Sequence, residues 1–209
     1  MGLSQEQLHG ALRALADEHE PVARVIADVG LPPPRISARG FATLARTIIG
    51  QQVSVASAAA VWNRLDAAAG GADDATRVAA LSDEELRAAG LSRQKSGYLR
   101  SLADEVTSGR LDLSALPADD EEAIAHLVRV KGIGRWSAEI YLLFAEGRTD
   151  IWPAGDLAVQ IEVGRILGLD ARPSEADTRA LAEAWRPHRG AVAILAWHSY
   201  GQGRIKAPV

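Results

Sequence analysis

The sequence predicts an all-α fold, and three observations carry that expectation. Alanine and leucine dominate, β-branched runs are short, and apolar residues recur at helical spacing along the chain. A first helix is expected over about 4–18, with Leu8, Leu12 and Leu15 on one face. A short second helix covers 21–29, and Leu31-Pro32-Pro33-Pro34 stops it and forces an extended link. Phe41, Leu44, Ala45 and Ile48 mark a buried helical face, which Gly50-Gln51-Gln52 interrupts. Ser54 caps a helix running to about 65, and Gly70-Gly71 is a loop. Ser82-Asp83-Glu84-Glu85 reads as a capping box opening a short helix closed by Gly90. Ser92 caps the next, with Leu99, Leu102, Ala103 and Val106 facing inward.

Residues 119–122 have capping-box spacing and open a helix carrying Ile124, Leu127 and Val128. Gly132-Ile133-Gly134 cuts it short, and a new helix runs through Trp136, Ile140, Leu143 and Phe144. Trp152-Pro153-Ala154-Gly155 is a turn, and Asp156 opens a helix with Val159, Val163, Ile166 and Leu167 on its apolar side. Segments 174–185 and 189–200 supply the last two. Roughly ten helices suit a chain of this size at the usual helix length. They are expected to form one domain over 1–209, with two helical lobes around a cleft.

Composition bounds the function. Nearly half the residues are apolar (47%), enough for a core and too many for a disordered chain. The absence of cysteine excludes disulfides, thiolate nucleophiles and cysteine-ligated zinc or iron–sulfur clusters. No apolar stretch approaches bilayer length, so no membrane partner is expected, and Met1-Gly2-Leu3-Ser4 does not open a signal peptide. The expected compartment is the cytoplasm. The net charge of −4 argues against nucleic acid, but the charges are segregated. Acids cluster at Asp17-Glu18-Glu20, Asp73-Asp74, Asp83-Glu84-Glu85 and 119–122, and bases at Arg93-Lys95-Arg100, Arg129-Lys131-Arg135 and Arg186-Arg189.

The most informative stretch runs from Leu127 to Glu139, with two helices meeting through Gly132-Ile133-Gly134. Glycine permits positive φ and leaves room for another backbone to approach. Amides at the start of the second helix then face a concave surface suited to a phosphate oxygen, while Ile133 pins the turn into the core. A bare Gly-x-Gly between helices is more often an ordinary tight turn. Asp156 has a similarly plain reading as a helix N-cap.

In its order of motifs the chain resembles the helix-hairpin-helix superfamily of DNA glycosylases, specifically the 3-methyladenine DNA glycosylase II branch. The resemblance rests on Gly50-Gln51-Gln52-Val53-Ser54, on Gly90-Leu91-Ser92 with Lys95 and Tyr98-Leu99, and on Lys131 through Glu139. It continues in Trp152-Pro153-Ala154-Gly155-Asp156-Leu157, Trp185-Arg186-Pro187 and Trp197-His198, covering about 40–200.

This resemblance implies a hairpin over about 124–146 and a catalytic loop over about 150–157, with Asp156 as the catalytic aspartate. It implies DNA contact by Lys131, Gly132, Ile133, Gly134, Arg135 and Trp136, and a side-chain wedge from Gln52, with Gln51 bracing that loop. A solvent-facing glutamine at a helix end is the plainer reading of Gln52. Trp136 and Trp197 fall at base-pocket positions, as do Ile140 and Leu157, where some relatives place tyrosines; Trp62 and Trp185 read as core. In relatives that also nick the strand, a lysine at the position of Trp136 forms a Schiff base, which tryptophan cannot. The implied activity is therefore monofunctional hydrolysis of alkylated purines of the 3-methyladenine and 7-methylguanine type.

Double-stranded DNA carrying damaged bases is the expected partner, bound by a monomer. No organic cofactor is implied; a monovalent cation at the backbone of Val130 and Ile133 is the one ion the resemblance suggests. Only about forty residues precede Phe41, too few for the N-terminal α/β domain of the family's long form. Three alternatives stay open: another damaged or mismatched base, a non-catalytic hairpin DNA-binding module, and a helical protein-interaction domain.

Overall fold

Twelve α-helices make up most of residues 2–206, which this computed structural model describes (side chains through 202). They are α1 (Gln5–Glu18), α2 (Glu20–Val29), α3 (Phe41–Gly50), α4 (Val55–Ala69), α5 (Ala75–Ala79) and α6 (Asp83–Ala88). There follow α7 (Arg93–Thr107), α8 (Asp120–Leu127), α9 (Arg135–Tyr141), α10 (Leu157–Leu167), α11 (Glu175–Leu181) and α12 (Arg189–Lys206). A π-helical turn (Leu142–Glu146) continues α9, and a 3-10 turn (Ala182–Trp185) continues α11. No strand occurs among the described residues, and none of their helices is long and apolar enough to cross a membrane.

Short polar side chains set where the helices begin. Ser4 and Ser82 form reciprocal capping boxes with Gln7 and Glu85. Ser54, Asp74, Ser92, Asp119, Asp156 and Ser174 each accept a backbone amide from the first turn they precede. Each such cap is worth about 1 kcal/mol, because the first amides of a helix have no acceptor of their own. Two helices exceed the roughly ten expected. One reason is α5, five residues long and held by Asp74, which is too short to display an apolar period. The helix after Ser54 also runs on to Ala69, where Gly70 in the left-handed conformation (φ 64°) ends it.

The helices sort into two compact units, Met1–Ile36 with Leu142–Val209, and Ser37–Tyr141. In the first, α12 is central. Its residues 191–196 are all buried, as befits a helix covered on every side. α1, α2 and α10 pack on it and bring in Leu8, Leu12, Val22, Val159 and Val163, none of them exposed. Full burial of such side chains stabilises by about 1.5–3 kcal/mol each. In the second unit α7 packs against α3, α5 and α6, joining Leu99 and Leu102 to Leu44 and Ile48. Trp62 and Trp185 are both core residues.

Candidate active site and nucleic-acid interface

The hairpin lies wholly in the second unit. Asp119 starts α8, which buries Ile124 and Leu127, and the chain turns back through 128–134 into α9. Val130 and Ile133 are 1% and 4% exposed, so the turn is pinned by these two side chains while Lys131 and Gly134 face outward. The Ile133 amide donates to the Val130 carbonyl at 3.0 Å and closes the turn. Gly132 has φ 87°, and a Cβ there would lie 2.2 Å from the Tyr98 ring. Both the left-handed backbone and the aromatic floor therefore demand glycine. Gly134 differs: a Cβ there would meet nothing within 4 Å.

Three side chains from outside the hairpin brace it or its neighbouring loop. Gln51 Nε2 donates to the Gly132 carbonyl at 2.8 Å, and Ser101 Oγ accepts the Lys131 amide at 3.0 Å. Lys95 Nζ donates to the Ile49 carbonyl at 2.7 Å, satisfying an acceptor in the last turn of α3. Of these only Gln51 was anticipated. Ser101 carried no signal in the sequence, since a serine on a helix face is ordinarily solvated.

The Arg135 side chain is engaged within the hairpin. Its guanidinium is forked onto both carboxylate oxygens of Glu121 and also donates to Glu139 Oε1 at 2.9 Å. Glu139 is 2% exposed. The hydrogen bonds that it donates to Glu121, then the charge of Glu139, raise the arginine's pKa further. This side chain ties α8 to α9.

Gln52 sits at the tip of the link between α3 and α4, exposed, with φ 56°. It is the one non-glycine residue with positive φ among those described. Such a conformation costs on the order of 1 kcal/mol or more and persists where the surroundings impose it. Val53 and Val55 beside it are 41% and 88% exposed.

Asp156 belongs to the first unit, at the end of a rigid loop. Residues 151–154 are buried; Trp152 Nε1 donates to the Thr178 carbonyl at 3.1 Å and its ring meets Trp185 edge-on at 5.6 Å. Gln160 reaches back to the Ala154 carbonyl at 2.8 Å. At the loop's base, Arg189 makes two 2.9 Å bonds to the Asp150 carboxylate, which Arg186 also contacts. Asp156 itself is half-buried and caps α10: Oδ1 accepts the Val159 amide at 3.0 Å. The same oxygen accepts the indole Nε1 of Trp197 at 3.1 Å. Trp197 leans on Phe144, with ring centroids 5.6 Å apart. Two donors, one from the first turn of α10 and one from an indole, thus fix the orientation of Oδ1.

The structure therefore joins Trp197 to Asp156, and Gln51 to the hairpin. Leu157, 54% exposed, follows Asp156 in the chain, whereas Trp136 (46% exposed) and the half-buried Ile140 lie on α9. No cluster of three or more His, Cys, Asp or Glu residues able to hold a metal ion occurs among the described residues.

Comparison with known proteins gives a consistent picture. The profile of HhH-GPD superfamily base excision DNA repair proteins matches residues 45–187. Bacillus subtilis YfjP is 28% identical over 162 residues, which is 74% of this chain; the chain spans only 56% of that relative's length. A crystal structure of DNA-3-methyladenine glycosidase from Bacillus halodurans superposes with a TM-score of 0.83 at 28% identity, covering 94% of this chain and 91% of the other. The Schizosaccharomyces pombe 3-methyladenine DNA glycosylase, solved in complex with abasic DNA, gives 0.77 at 27% identity over 96% and 99% of the two chains.

Proposed function

This chain belongs to the HhH-GPD superfamily of base excision DNA repair proteins, and on that premise we propose that it is a monofunctional DNA glycosylase for alkylated purines. The observation that carries the reading is the Asp156 carboxylate, fixed through Oδ1 by Val159 and Trp197 on a braced loop. Similarity to glycosylases of 3-methyladenine supports the substrate class.

In this reading the enzyme acts on a nucleotide extruded from the duplex. The C1′–N bond breaks, its electron pair leaves with the base, and positive charge develops on the sugar. Asp156 stabilises that charge as an anion already in place, so no reorganisation is needed at the moment of reaction. Water then adds to C1′ and loses a proton, leaving an abasic site. An alkylated purine of the 3-methyladenine type is cationic, so its bond is already weakened, and the exposed Trp136 ring is suited to stack on it. Ile140 and Leu157 offer apolar rather than aromatic surface to the base.

Outward-facing amides near Gly134 to Trp136 hold a backbone phosphate, and Gln52 is the wedge that fills the space left by the flipped base. A monovalent cation would be held by the Val130 and Ile133 carbonyls and would supply positive charge toward that phosphate. What supports this is that the Val130 carbonyl keeps a second lone pair after accepting the Ile133 amide. The protein acts as a monomer on damaged double-stranded DNA.

The deciding experiment incubates purified protein with duplexes containing defined lesions and identifies the released bases. Release of 3-methyladenine or 7-methylguanine with strands left intact is the expected result. Release of only oxidised or mismatched bases would reassign the substrate, and DNA binding without any release would leave a binding module.

A further inference from the structure

We infer that α6 and α7 form a second phosphate site, separate from the hairpin, which extends the DNA footprint; the DNA source of the phosphate rests on the function proposed above. A pocket of about 430 Å³ is lined by Asp83, Arg87, Arg93, Ser96, Gly97 and Arg100. Three guanidiniums thus face one carboxylate. Arg100 is anchored: Nε and one terminal nitrogen bond Asp83 Oδ1 at 3.0 and 2.7 Å, and that nitrogen also reaches the Leu81 carbonyl at 2.8 Å. Arg87 and Arg93 have no carboxylate partner among the described residues.

A second, independent observation points to a ligand. Ser96 is 7% exposed, and its Oγ is buried with no hydrogen-bond partner. A buried hydroxyl left unpaired is costly, and nearly all such groups in proteins find a partner. An anion in this pocket would accept that proton, while Arg87 and Arg93 neutralise its charge. Guanidinium forks match the geometry of a phosphate, which a chloride or a water would not exploit.

Placement links the pocket to DNA. Ser92, Gln94, Lys95 and Tyr98 border a different pocket that also contains Gln51 and Gln52. At 100° per residue, these positions occupy one side of the first two turns of α7, and Arg93, Ser96, Gly97 and Arg100 the other. A strand engaged by the Gln52 loop has only the N-terminal end of α7 to cross before meeting the arginines. The segregation of charge fits as well: Arg93, Lys95 and Arg100 all lie on this helix in a chain of net charge −4.

The test uses full-length protein and an abasic-site duplex, with affinity measured across a salt series. Arg87→Ala/Arg93→Ala should bind about tenfold more weakly at low salt and lower the salt slope by about one to two. A charge-matched control, Arg13→Ala/Arg172→Ala, should leave the slope near that of the wild type. Ser96→Ala alters no charge and should weaken binding two- to fivefold at an unchanged slope, a change that long-range electrostatics cannot produce. Base release at saturating protein should be unchanged in both pocket variants. If the pocket variants bind DNA as the control does while the wild type binds normally, the second DNA site is overturned and the glycosylase reading stands. If the wild type neither binds DNA nor releases bases, that reading fails instead. Inorganic phosphate then decides the pocket: thermal stabilisation at constant ionic strength, lost in Ser96→Ala, keeps a phosphate site for a free ligand, and no stabilisation removes it.

Discussion

Trp197 and Asp156, 41 residues apart, are joined by an indole Nε1–H that donates to the carboxylate Oδ1 at 3.1 Å. Trp197 thereby orients the candidate catalytic group as well as presenting a ring. Trp197→Phe keeps a ring against Phe144 and removes only the donor. Hydrogen bonds to charged groups contribute about 1.5–3 kcal/mol, so base release under saturating DNA should fall about tenfold or more. Binding of abasic-site DNA should change little. An unaltered turnover would make the contact incidental.

Asp156→Asn separates charge from capping. Asparagine caps a helix as well as aspartate, so the Val159 amide keeps its acceptor and the melting temperature should hold within a few degrees. If the proposed function holds, base release should drop by at least about a hundredfold, since the anion proposed to stabilise the developing sugar charge is gone. A variant retaining most of its turnover would make Asp156 a structural cap alone.

The product should be an intact strand with an abasic site, cleaved only on later alkali treatment. By the hairpin resemblance Trp136 stands where relatives that nick the strand place a lysine, and Lys131 is exposed on the turn with its amide tied to Ser101. Borohydride should trap no covalent protein–DNA complex. Trapping that disappears in Lys131→Ala would identify a lyase.

The two hairpin glycines should behave oppositely. Gly134→Asp meets open space, so the protein should fold normally yet bind every duplex weakly, because the new carboxylate would face the phosphate proposed to bind there. Gly132→Ala forces a Cβ into the Tyr98 ring from a left-handed backbone, and should destabilise by at least about 2 kcal/mol. Helical content, denaturant midpoint and DNA affinity read both effects. Wild-type affinity in a folded Gly134→Asp protein would place the hairpin off the DNA.

Gln52→Gly should exchange function for stability. Glycine adopts φ 56° without strain, so the unfolding free energy should rise by up to about 1 kcal/mol, read as a higher denaturant midpoint. Loss of the wedge should slow base release from paired duplex more than from a bubble in which the lesion is already unpaired. Equal slowing on both substrates would assign Gln52 to something other than base extrusion.

The helical class, most helix starts and the pinning of the hairpin by Ile133 were legible in the sequence. Those features arise from interactions within a few residues: a serine three places before the amide it caps, an apolar period of a helical turn, a glycine where the backbone turns back. Five-residue α5 escaped because one turn shows no period. Tertiary structure alone decided which polar groups meet. Gln51 reaches Gly132 across 81 positions, and Arg135 is paired with Glu121 across 14. Nothing local distinguishes a braced glutamine from a solvated one, or a paired arginine from a free one. A hydrogen bond needs its partner within about 3 Å, and only the packing of helices remote in sequence sets that distance.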